Sequence, residues 1–465
     1  MLFNSLEYVI FYLIVLVLAW ALVGVRSLRF WLILVASIYF YASNNGWQTF
    51  ILLGTTTVDY FVCLWMGRTE EQRHRRALLL LSLVSNLGTL AFFKYFNFFG
   101  TSIESVAHVL GLAIALPHKD IALPIGISFF TFEALSYTID VYRREIPVER
   151  KFPSLVLMVS FFPHLIAGPI VRARSFFPQI GRRPKLTEDD FDWAVFRIFS
   201  GLLKKIVFAD LLALYVDAAF ATDHAPTALA AWIGVYAFAF QIYFDFSGYT
   251  DIALGCAKLL GFDLPENFRR PYAATSITDF WRRWHMSLSS WLRDYLYISL
   301  GGNRHGRWRT YRNLMVTMLL GGLWHGAGWN FVIWGGLHGL FLSIERALGV
   351  DPNPKEASLL RRLAYFQLVV LTWIPFRADG AEGALRIVKS MLSAVPGDPL
   401  TNGQLAAIAI MAGALAWQLI AERIEPLQLL HRSNFVMRAA FYVAVLALTT
   451  VLSAEEAKTF IYFRF

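Results

Sequence analysis

Long apolar segments recur along the whole chain, and several approach the ~20 residues that an α-helix needs to cross a bilayer. Their residues do not alternate between apolar and polar, as barrel strands would. With 57% hydrophobic and only 16% charged residues, the composition differs from that of soluble proteins. The sequence therefore predicts an all-α polytopic membrane protein. The apolar segments cover residues 8–23, 30–42, 50–66, 77–93, 123–141, 196–220, 228–246, 331–344, 359–376, 406–420 and 435–453.

Two regions interrupt this pattern. Residues 152–171 contain Pro163, Gly168 and Pro169, which break a helix too early for a clean crossing, so we predict a kinked or re-entrant segment. Residues 245–312 are too polar to span and too apolar to form a free loop. We predict in-plane or re-entrant helices there, the longest over residues 280–300. Roughly 11 transmembrane or re-entrant helices are expected in total.

The charge balance bears on orientation and on partners. The net charge of +9 is attributed to an excess of Lys and Arg in cytoplasmic loops, as is usual in membrane proteins, rather than to nucleic-acid binding. No nucleic-acid partner is expected. The basic linkers 26–29 and 68–76 fall on the same side if all of the first four apolar segments cross. That side is predicted to be the cytoplasm, which places the N-terminus in the periplasm. Neither a disulfide nor a metal site is predicted, because the two cysteines lie in or beside apolar segments and metal-ligand spacing is lacking.

One ionisable side chain lies inside a glycine-rich apolar stretch, residues 319–331 (LLGGLWHGAGWNF). Polar groups in hydrocarbon are costly, and they usually face a water-filled cavity, a partner or a reaction site. His325 is therefore a candidate functional residue, although a buried, hydrogen-bonded structural histidine fits this stretch equally well. His285 lies in a different segment, so spacing does not tell whether the two histidines meet.

Several long motifs carry a family resemblance that runs almost from end to end. They are residues 124–132 (PIGISFFTF), 167–172 (AGPIVR), 241–251 (QIYFDFSGYTD), 279–295 (DFWRRWHMSLSSWLRDY), 301–306 (GGNRHG), 323–328 (LWHGAG) and 460–465 (FIYFRF). In this order they resemble the membrane-bound O-acyltransferase (MBOAT) family, and its bacterial alginate O-acetyltransferase-like branch in particular. The resemblance implies a single MBOAT transmembrane domain over residues 1–465, with helices around a central tunnel or funnel. N-terminal helices would occupy 1–150, the core with the catalytic histidine 151–350, and C-terminal helices 351–465.

The same resemblance implies roles for the histidines. His325 corresponds to the principal catalytic histidine and His285 to the second polar position. A neutral imidazole would remove the proton from an acceptor hydroxyl as it attacks a thioester carbonyl. The resulting oxyanion needs hydrogen-bond donors, for which Trp324, Asn330 and His285 are the candidates. His285 is otherwise expected to position the acyl donor or act electrostatically.

Other polar residues have a structural interpretation beside a functional one. Asp245, Ser247 and Asp251 are expected either to cap or brace re-entrant helices or to line the tunnel. His338 would not share a helix face with His325 if one regular helix joined them, so a structural role is predicted. His164 stands where the family more often has glutamine, and is expected to serve packing or backbone hydrogen bonding.

Three arginines are candidates for binding the phosphates of the acyl donor. Arg282, Arg283 and Arg293 lie in or beside the 279–295 motif, and a guanidinium suits phosphate recognition. Lipid headgroups and the nearby carboxylates of Asp279 and Asp294 are equally good partners for them.

The function implied is transfer of an acetyl group from a cytoplasmic thioester donor, expected to be acetyl-CoA, across the bacterial inner membrane. The acceptor would be an exported, alginate-like polysaccharide, reached with a periplasmic acetyltransferase or esterase-like partner protein. No bound cofactor is expected. One alternative is a D-alanyl transferase with a carrier-protein donor. Another is a proton-coupled transporter, which the lack of an internal repeat disfavours.

Overall fold

Helices account for the regular structure in a computed structural model of the chain. It describes residues 1, 3, 5–166, 168–222, 225–354, 356–393, 399–421 and 433–452, and no strand occurs among them. Ala167 and the 460–465 motif lie outside the described residues. The helices are α1 (Leu6–Ala21), α2 (Arg26–Asn45), α3 (Thr49–Met66), α4 (Gln72–Leu90), α5 (Phe96–Val109), α6 (Ile127–Arg143), α7 (Phe152–Ser160), α8 (Ala173–Ile180), α9 (Glu188–Leu202), α10 (Asp210–Ala219), α11 (Ala228–Leu259), α12 (Ile277–Trp281), α13 (Met286–Trp291), α14 (Arg307–His325), α15 (Trp329–Ala347), α16 (Leu359–Arg377), α17 (Gly380–Met391), α18 (Asn402–Ile420) and α19 (Phe435–Leu452).

Five helical stretches of the described chain are long and apolar enough to cross a membrane. They are Arg26–Met66, Gln72–Val109, Ala228–Leu259, Leu359–Arg377 and Asn402–Ile420. Two shorter apolar helices lie near the ends of the described chain. The all-α polytopic class is therefore confirmed. The total of roughly 11 crossing or re-entrant helices stays a prediction.

The helices group into two compact units. The first comprises Met1–Glu188 and Cys256–Pro265, and the second comprises Asp189–Gly255 and Glu266–Phe465. The expected single domain, with parts meeting near residues 150 and 350, stays a prediction.

In the first unit the helix before the proline-rich segment ends early, as predicted. Helix α7 stops at Ser160, before Pro163, and the following residues up to 172 are not helical where described. The segment is held by Glu133 of α6, whose Oε1 accepts a hydrogen bond from the Val171 amide at 2.8 Å and lies 3.2 Å from Nδ1 of His164. His164 thus has a specific partner, a buried carboxylate, in addition to the packing role expected of it.

In the second unit two helices approach closely through glycines. A Cβ on Gly322 of α14 would lie 2.2 Å from the carbonyl oxygen of Phe331, and one on Gly335 of α15 would lie 2.2 Å from that of Met318. No side chain fits either position. Small residues allow this approach, which replaces the hydrophobic driving force that is missing between helices in lipid.

Helix α11 continues through the residues where the sequence predicted the chain to stop spanning. The expected boundary at Asp245 is wrong, because α11 runs from Ala228 to Leu259 without a break. The acidic residues are accommodated by cations: the buried Lys205 lies 2.8 Å from Asp245, and the partly buried Arg197 lies 2.5 Å from Asp251. Paired charges do not need water, so they do not end the helix.

The expected helix over residues 280–300 is also interrupted. Helix α12 ends at Trp281 and α13 begins at Met286, and His285 between them has a left-handed backbone with φ +42°. A non-glycine residue in this region is uncommon and costs conformational energy. This turn could not be predicted from the sequence, because neither glycine nor proline marks it.

The close contact between α14 and α15 predicts that Gly335→Ala destabilises the protein by at least about 1–3 kcal/mol, the usual cost of overpacking. Thermal unfolding in detergent micelles would measure this loss. Gly336→Ala is the matched control, because its Cβ would meet only Leu319 Cδ2 at an ordinary 3.4 Å. Equal unfolding temperatures for the two variants would contradict the assigned contact.

Candidate active site

His325 is the last residue of α14 and precedes a break in the helix. Residues 326–328 are extended or turned, and α15 begins at Trp329. Nδ1 of His325 lies 2.7 Å from the carbonyl oxygen of Gly321, one turn earlier. Because a carbonyl only accepts, Nδ1 carries the hydrogen and, in the neutral ring, Nε2 carries the lone pair. The Gly321 carbonyl thus fixes the tautomer of the neutral ring and leaves Nε2 able to accept a proton.

His285 lies beside His325, as the catalytic interpretation requires. Their ring centroids are 6.5 Å apart with an interplanar angle of 81°, and both side chains are buried. Nδ1 of His285 lies 3.2 Å from Oδ1 of Asn267. The tertiary structure therefore brings together two histidines whose spacing in the sequence left their proximity open.

Aromatic rings surround this pair. Phe246 lies 4.7 Å from the ring of His285, while Trp334 and Phe376 lie 4.9 Å and 5.6 Å from that of His325. Burial among such groups lowers the pKa of His285 well below its ordinary value, and the neighbouring His325 lowers it further. His285 is therefore neutral at physiological pH.

This protonation state narrows the choice of oxyanion donors. Asn267 Oδ1 also accepts a hydrogen bond from the Ser287 amide, so the Nδ1 of His285 that faces it carries the hydrogen. In the neutral ring Nε2 is then an acceptor and not a donor to an oxyanion. Of the other candidates, the Trp324 ring lies 5.0 Å from His325 and 6.0 Å from His285. Asn330 donates from Nδ2 to the carbonyl of Ala378 at 3.3 Å. Trp324 thus lies against both histidines, whereas the Asn330 amide has a backbone partner.

His338 belongs to the same cluster, contrary to the geometry expected from one regular helix. The break after His325 redirects the chain, and Trp334 packs between the two rings at 4.9 Å from each. Nδ1 of His338 accepts from Trp281 Nε1 at 3.3 Å, and Nε2 lies 3.1 Å from Thr372 Oγ1. Both nitrogens are occupied within the protein, which supports the predicted structural role.

The acidic residues of α11 take part in ion pairs. Asp245 pairs with Lys205, which also contacts Asp210 at 2.7 Å. Asp251 contacts Arg197 and, at 2.6 Å, Lys204. They lie inside the helix, so the expectation that they cap re-entrant helices is wrong, whereas bracing agrees with these pairs.

Ser247 lies in the same stretch of α11 and is buried. Its hydroxyl has no hydrogen-bond partner among the described residues. A tunnel-lining role for Ser247 and for the two aspartates stays a prediction.

The three arginines separate into different environments. Arg283 pairs with Asp279 at 2.8 Å, and Arg293 with Asp294 at 2.7 Å, so both nearby carboxylates act as the expected partners. Arg282 and Arg293 are exposed and line a cavity of about 640 Å³ within the second unit, which Arg283 does not line.

The cavity approaches the histidine cluster without being lined by either histidine. Its wall includes Trp281 and Leu292. The Trp281 ring lies 5.7 Å from that of Trp334, which in turn contacts His325. Leu292 lies 3.1 Å from the position of a Cβ on Gly321, the residue that holds the His325 ring. The rings of Trp281 and Trp334 on one side, and the Leu292 side chain on the other, therefore lie between the cavity and His325.

Sequence reasoning missed two residues that support the site. Asn267 contacts His285, and Glu345 accepts hydrogen bonds from the amides of Ile277 and Thr278 at 2.6 and 3.0 Å, which holds the start of α12. Asn267 lies in a loop without a recognisable motif, so the sequence does not single it out. Glu345 could have been singled out as an acidic residue near the end of an apolar helix.

Fold and site together define a polytopic helical membrane protein with two buried histidines held at one place. Residues 30–350 match the model of the MBOAT, membrane-bound O-acyltransferase family. The chain belongs to this family, and it is an O-acyltransferase. The family resemblance is thereby confirmed, and the transporter alternative is set aside.

Three relatives show how far the similarity extends. A protein named "Probable alginate O-acetylase AlgI" from Pseudomonas putida is 40% identical over 459 residues, covering 93% of this chain and 94% of the relative. The "Peptidoglycan O-acetyltransferase" of Helicobacter pylori is 38% identical, with 78% and 73% covered. The "Teichoic acid D-alanyltransferase" of Bacillus subtilis is 29% identical, with 49% and 60% covered. Similarity thus extends over more of the chain for the two proteins with O-acetyl names.

The site predicts different outcomes for two neighbouring histidines. His338→Ala leaves Trp281 and Thr372 without their partner, which should cost about 1–3 kcal/mol per buried group, while the surviving folded protein keeps transferring acyl groups. His325→Gln should retain stability and lose transfer. Unfolding temperature and transfer per folded molecule are measured for both. If His338→Ala folds normally but is inactive, the structural assignment is wrong.

Proposed function

We propose that the protein transfers an acetyl group from a thioester donor across the bacterial inner membrane for O-acetylation of an exported polysaccharide, with His325 as general base. The observation that carries this proposal is the 2.7 Å contact between His325 Nδ1 and the Gly321 carbonyl, which leaves Nε2 as the basic nitrogen. Relatives named for O-acetylation of alginate and peptidoglycan support the acetyl group and the polysaccharide class.

The proposed reaction begins when Nε2 of His325 accepts the proton of the attacking hydroxyl. The hydroxyl oxygen bonds to the thioester carbonyl carbon, and the carbonyl oxygen becomes an oxyanion, for which the indole N–H of Trp324, beside His325, is the proposed donor. When the carbon–sulfur bond breaks, the leaving thiolate takes the proton from His325. The base is thereby regenerated, and the products are an O-acetyl ester and a free thiol.

His285 has a second role in this scheme. As a neutral ring with its lone pair on Nε2, it accepts a hydrogen bond and thus orients a hydroxyl or a water molecule. Its lowered pKa keeps the ring neutral, so that Nε2 acts as a hydrogen-bond acceptor. The two rings thereby divide proton transfer and orientation between them.

The 640 Å³ cavity is the proposed entrance for the donor. Its volume lies within the ~300–1,000 Å³ typical of small-molecule sites, which suits a pantetheine arm. Arg282, Arg293 and Arg346 line it, and guanidinium groups recognise phosphate. We therefore propose acetyl-CoA as the donor, bound transiently as a substrate. Side-chain movement at Trp281 or Leu292 would open the way to His325.

The location and the partners follow from the same scheme. We propose that the donor enters from the cytoplasm, that the N-terminus lies in the periplasm, and that the chain is embedded in the lipid bilayer. A periplasmic acetyltransferase or esterase-like partner would receive the acetyl group and complete its transfer to an alginate-like polymer. Charge bias of the linkers supports this orientation.

A D-alanyl transferase is the second candidate, favoured by the Bacillus subtilis relative. The two candidates differ in the donor. Purified protein that consumes acetyl-CoA supports the first, whereas strict dependence on an acylated carrier protein supports the second.

Replacing His325 by Ala should lower acetyl transfer by 10²- to 10⁴-fold, the usual contribution of a general base. Polymer ester content in cells and acetyl-CoA turnover by purified protein measure the loss, after membrane expression has been matched to wild type. Full acetylation by a normally expressed variant would rule out the catalytic assignment.

Filling the cavity should impair use of the donor without unfolding the protein. Leu314→Trp places a large ring in the cavity, and we expect a raised KM for acetyl-CoA or loss of turnover. Leu320→Trp is the control, because Leu320 lies on the same helix, is 45% exposed, and does not line this cavity. Unchanged donor kinetics in a folded Leu314→Trp protein would exclude the cavity as the entrance.

A further inference from the structure

Asn267 is a fully buried residue of the second unit whose side chain contacts the turn that carries His285. Its Oδ1 accepts hydrogen bonds from the Ser287 amide at 3.2 Å and the Ser287 hydroxyl at 2.9 Å, and it lies 3.2 Å from Nδ1 of His285. Its backbone carbonyl accepts from the Met286 amide at 2.9 Å. One asparagine therefore binds three consecutive residues of the turn.

The Ser287 amide settles which way the Asn267 side chain is oriented. A backbone N–H only donates, so the atom facing it is the oxygen and not the nitrogen of the amide. The same oxygen faces Nδ1 of His285, so this ring nitrogen must carry the hydrogen. The lone pair of the neutral ring consequently lies on Nε2.

We propose that Asn267 is the positioning residue for His285, holding it in the Nδ1–H tautomer so that Nε2 serves as a hydrogen-bond acceptor in the transfer reaction. This inference rests on the proposed function for its catalytic meaning, but not for the tautomer itself. Asn267 does not touch the reacting atoms. It acts through the ring that it orients.

The choice of an amide has a chemical consequence. A carboxylate at this position would stabilise the imidazolium form, as in acid–histidine pairs, whereas a neutral amide fixes the tautomer without adding charge. The described groups around the His285 ring are Phe246, Phe268, Trp324 and His325. His325 is the titratable group among them, so a new carboxylate would meet no competing countercharge from these neighbours.

The backbone of the turn depends on the same contacts. His285 has φ +42° and ψ +54°, and the bonds from Asn267 to residues 285, 286 and 287 hold this left-handed position. Removing the side chain takes away the contacts to residues 285 and 287 and leaves that of the backbone carbonyl. The ring should then lose its fixed tautomer before the turn is lost.

The test uses full-length protein in lipid nanodiscs, labelled with ¹⁵N-histidine and studied by solid-state NMR. The His285 signals are assigned by their absence from His285→Gln. In wild type at neutral pH we expect a neutral ring with a protonated Nδ1. Asn267→Ala should give mixed tautomers, and Asn267→Asp should retain the imidazolium form to a higher pH than wild type.

Kinetics with acetyl-CoA supply the second readout. Asn267→Ala should lower kcat at least tenfold. In Asn267→Asp the raised pKa of His285 means that a higher pH is needed to obtain the neutral ring, so the acid limb of the kcat profile should move to higher pH. Asn313→Ala is the matched control, because this buried asparagine binds the carbonyls of Leu300 and Gly302 instead of a histidine. It should leave the His285 spectrum unchanged.

The outcomes separate this inference from the proposed function. A His285 spectrum in folded Asn267→Asp that matches wild type at every pH would overturn the role of Asn267, whatever the activity. If Asn267→Ala does not fold, Asn267→Asp decides alone, since its carboxylate can still accept the Ser287 hydrogen bonds. The expected spectra without acetyl transfer by wild type would sustain the positioning role and reject the proposed function.

Discussion

The close backbone contact between α14 and α15 is the constraint on which the site depends. Gly322 and Gly335 let the two helices approach until a Cβ at either position would overlap a carbonyl oxygen of the other helix. This contact places the helix break after His325, so the histidine ends one helix and Trp334 belongs to the next. The His325 ring thus gains an aromatic neighbour from a chain segment only a few residues away.

Burial removes water from the two histidine rings, and oriented hydrogen-bond acceptors of the protein replace part of it. An imidazole among aromatic rings loses its hydration, and its free energy depends on the few polar atoms it still contacts. One such atom for His325 is the Gly321 carbonyl oxygen, and one for His285 is the Asn267 side-chain oxygen. Each acceptor stabilises the neutral Nδ1–H form. The same groups that make burial tolerable therefore determine which nitrogen is basic.

Sequence reasoning succeeded where a local pattern has a local cause. The apolar segments predicted the helical class, and the proline-rich stretch after Ser160 predicted the end of α7. It failed where partners come from distant segments. Asp245 was predicted to end a span, because its counter-ion Lys205 lies in a different helical segment. The local sequence pattern cannot identify such a partner. His338 was predicted to lie away from His325, because the sequence does not predict in which direction the chain continues after the glycine-rich break.

The basic linker 68–76 shows the same limit within the first unit. Arg75 was counted as a loop charge, yet it is buried and donates to the carbonyls of Met66, Val141 and Tyr142 at 2.5, 2.9 and 2.9 Å. These contacts join the end of α3 to the end of α6, and Arg144 pairs with Glu70 across the same gap.

The linker 68–76 and the segment after α6 therefore lie at one end of the first unit. One basic residue of this linker has a structural role there. Arg75 caps backbone carbonyls at helix ends, where a cation also complements the helix dipole. A basic residue at such a position can therefore serve either to bind backbone carbonyls or to keep the linker on the cytoplasmic side. Only solvent-exposed basic residues respond to the membrane potential and the lipid charge. An orientation inferred from the linkers is thus stronger when it rests on exposed residues such as Arg68 and Arg76 than on the total count.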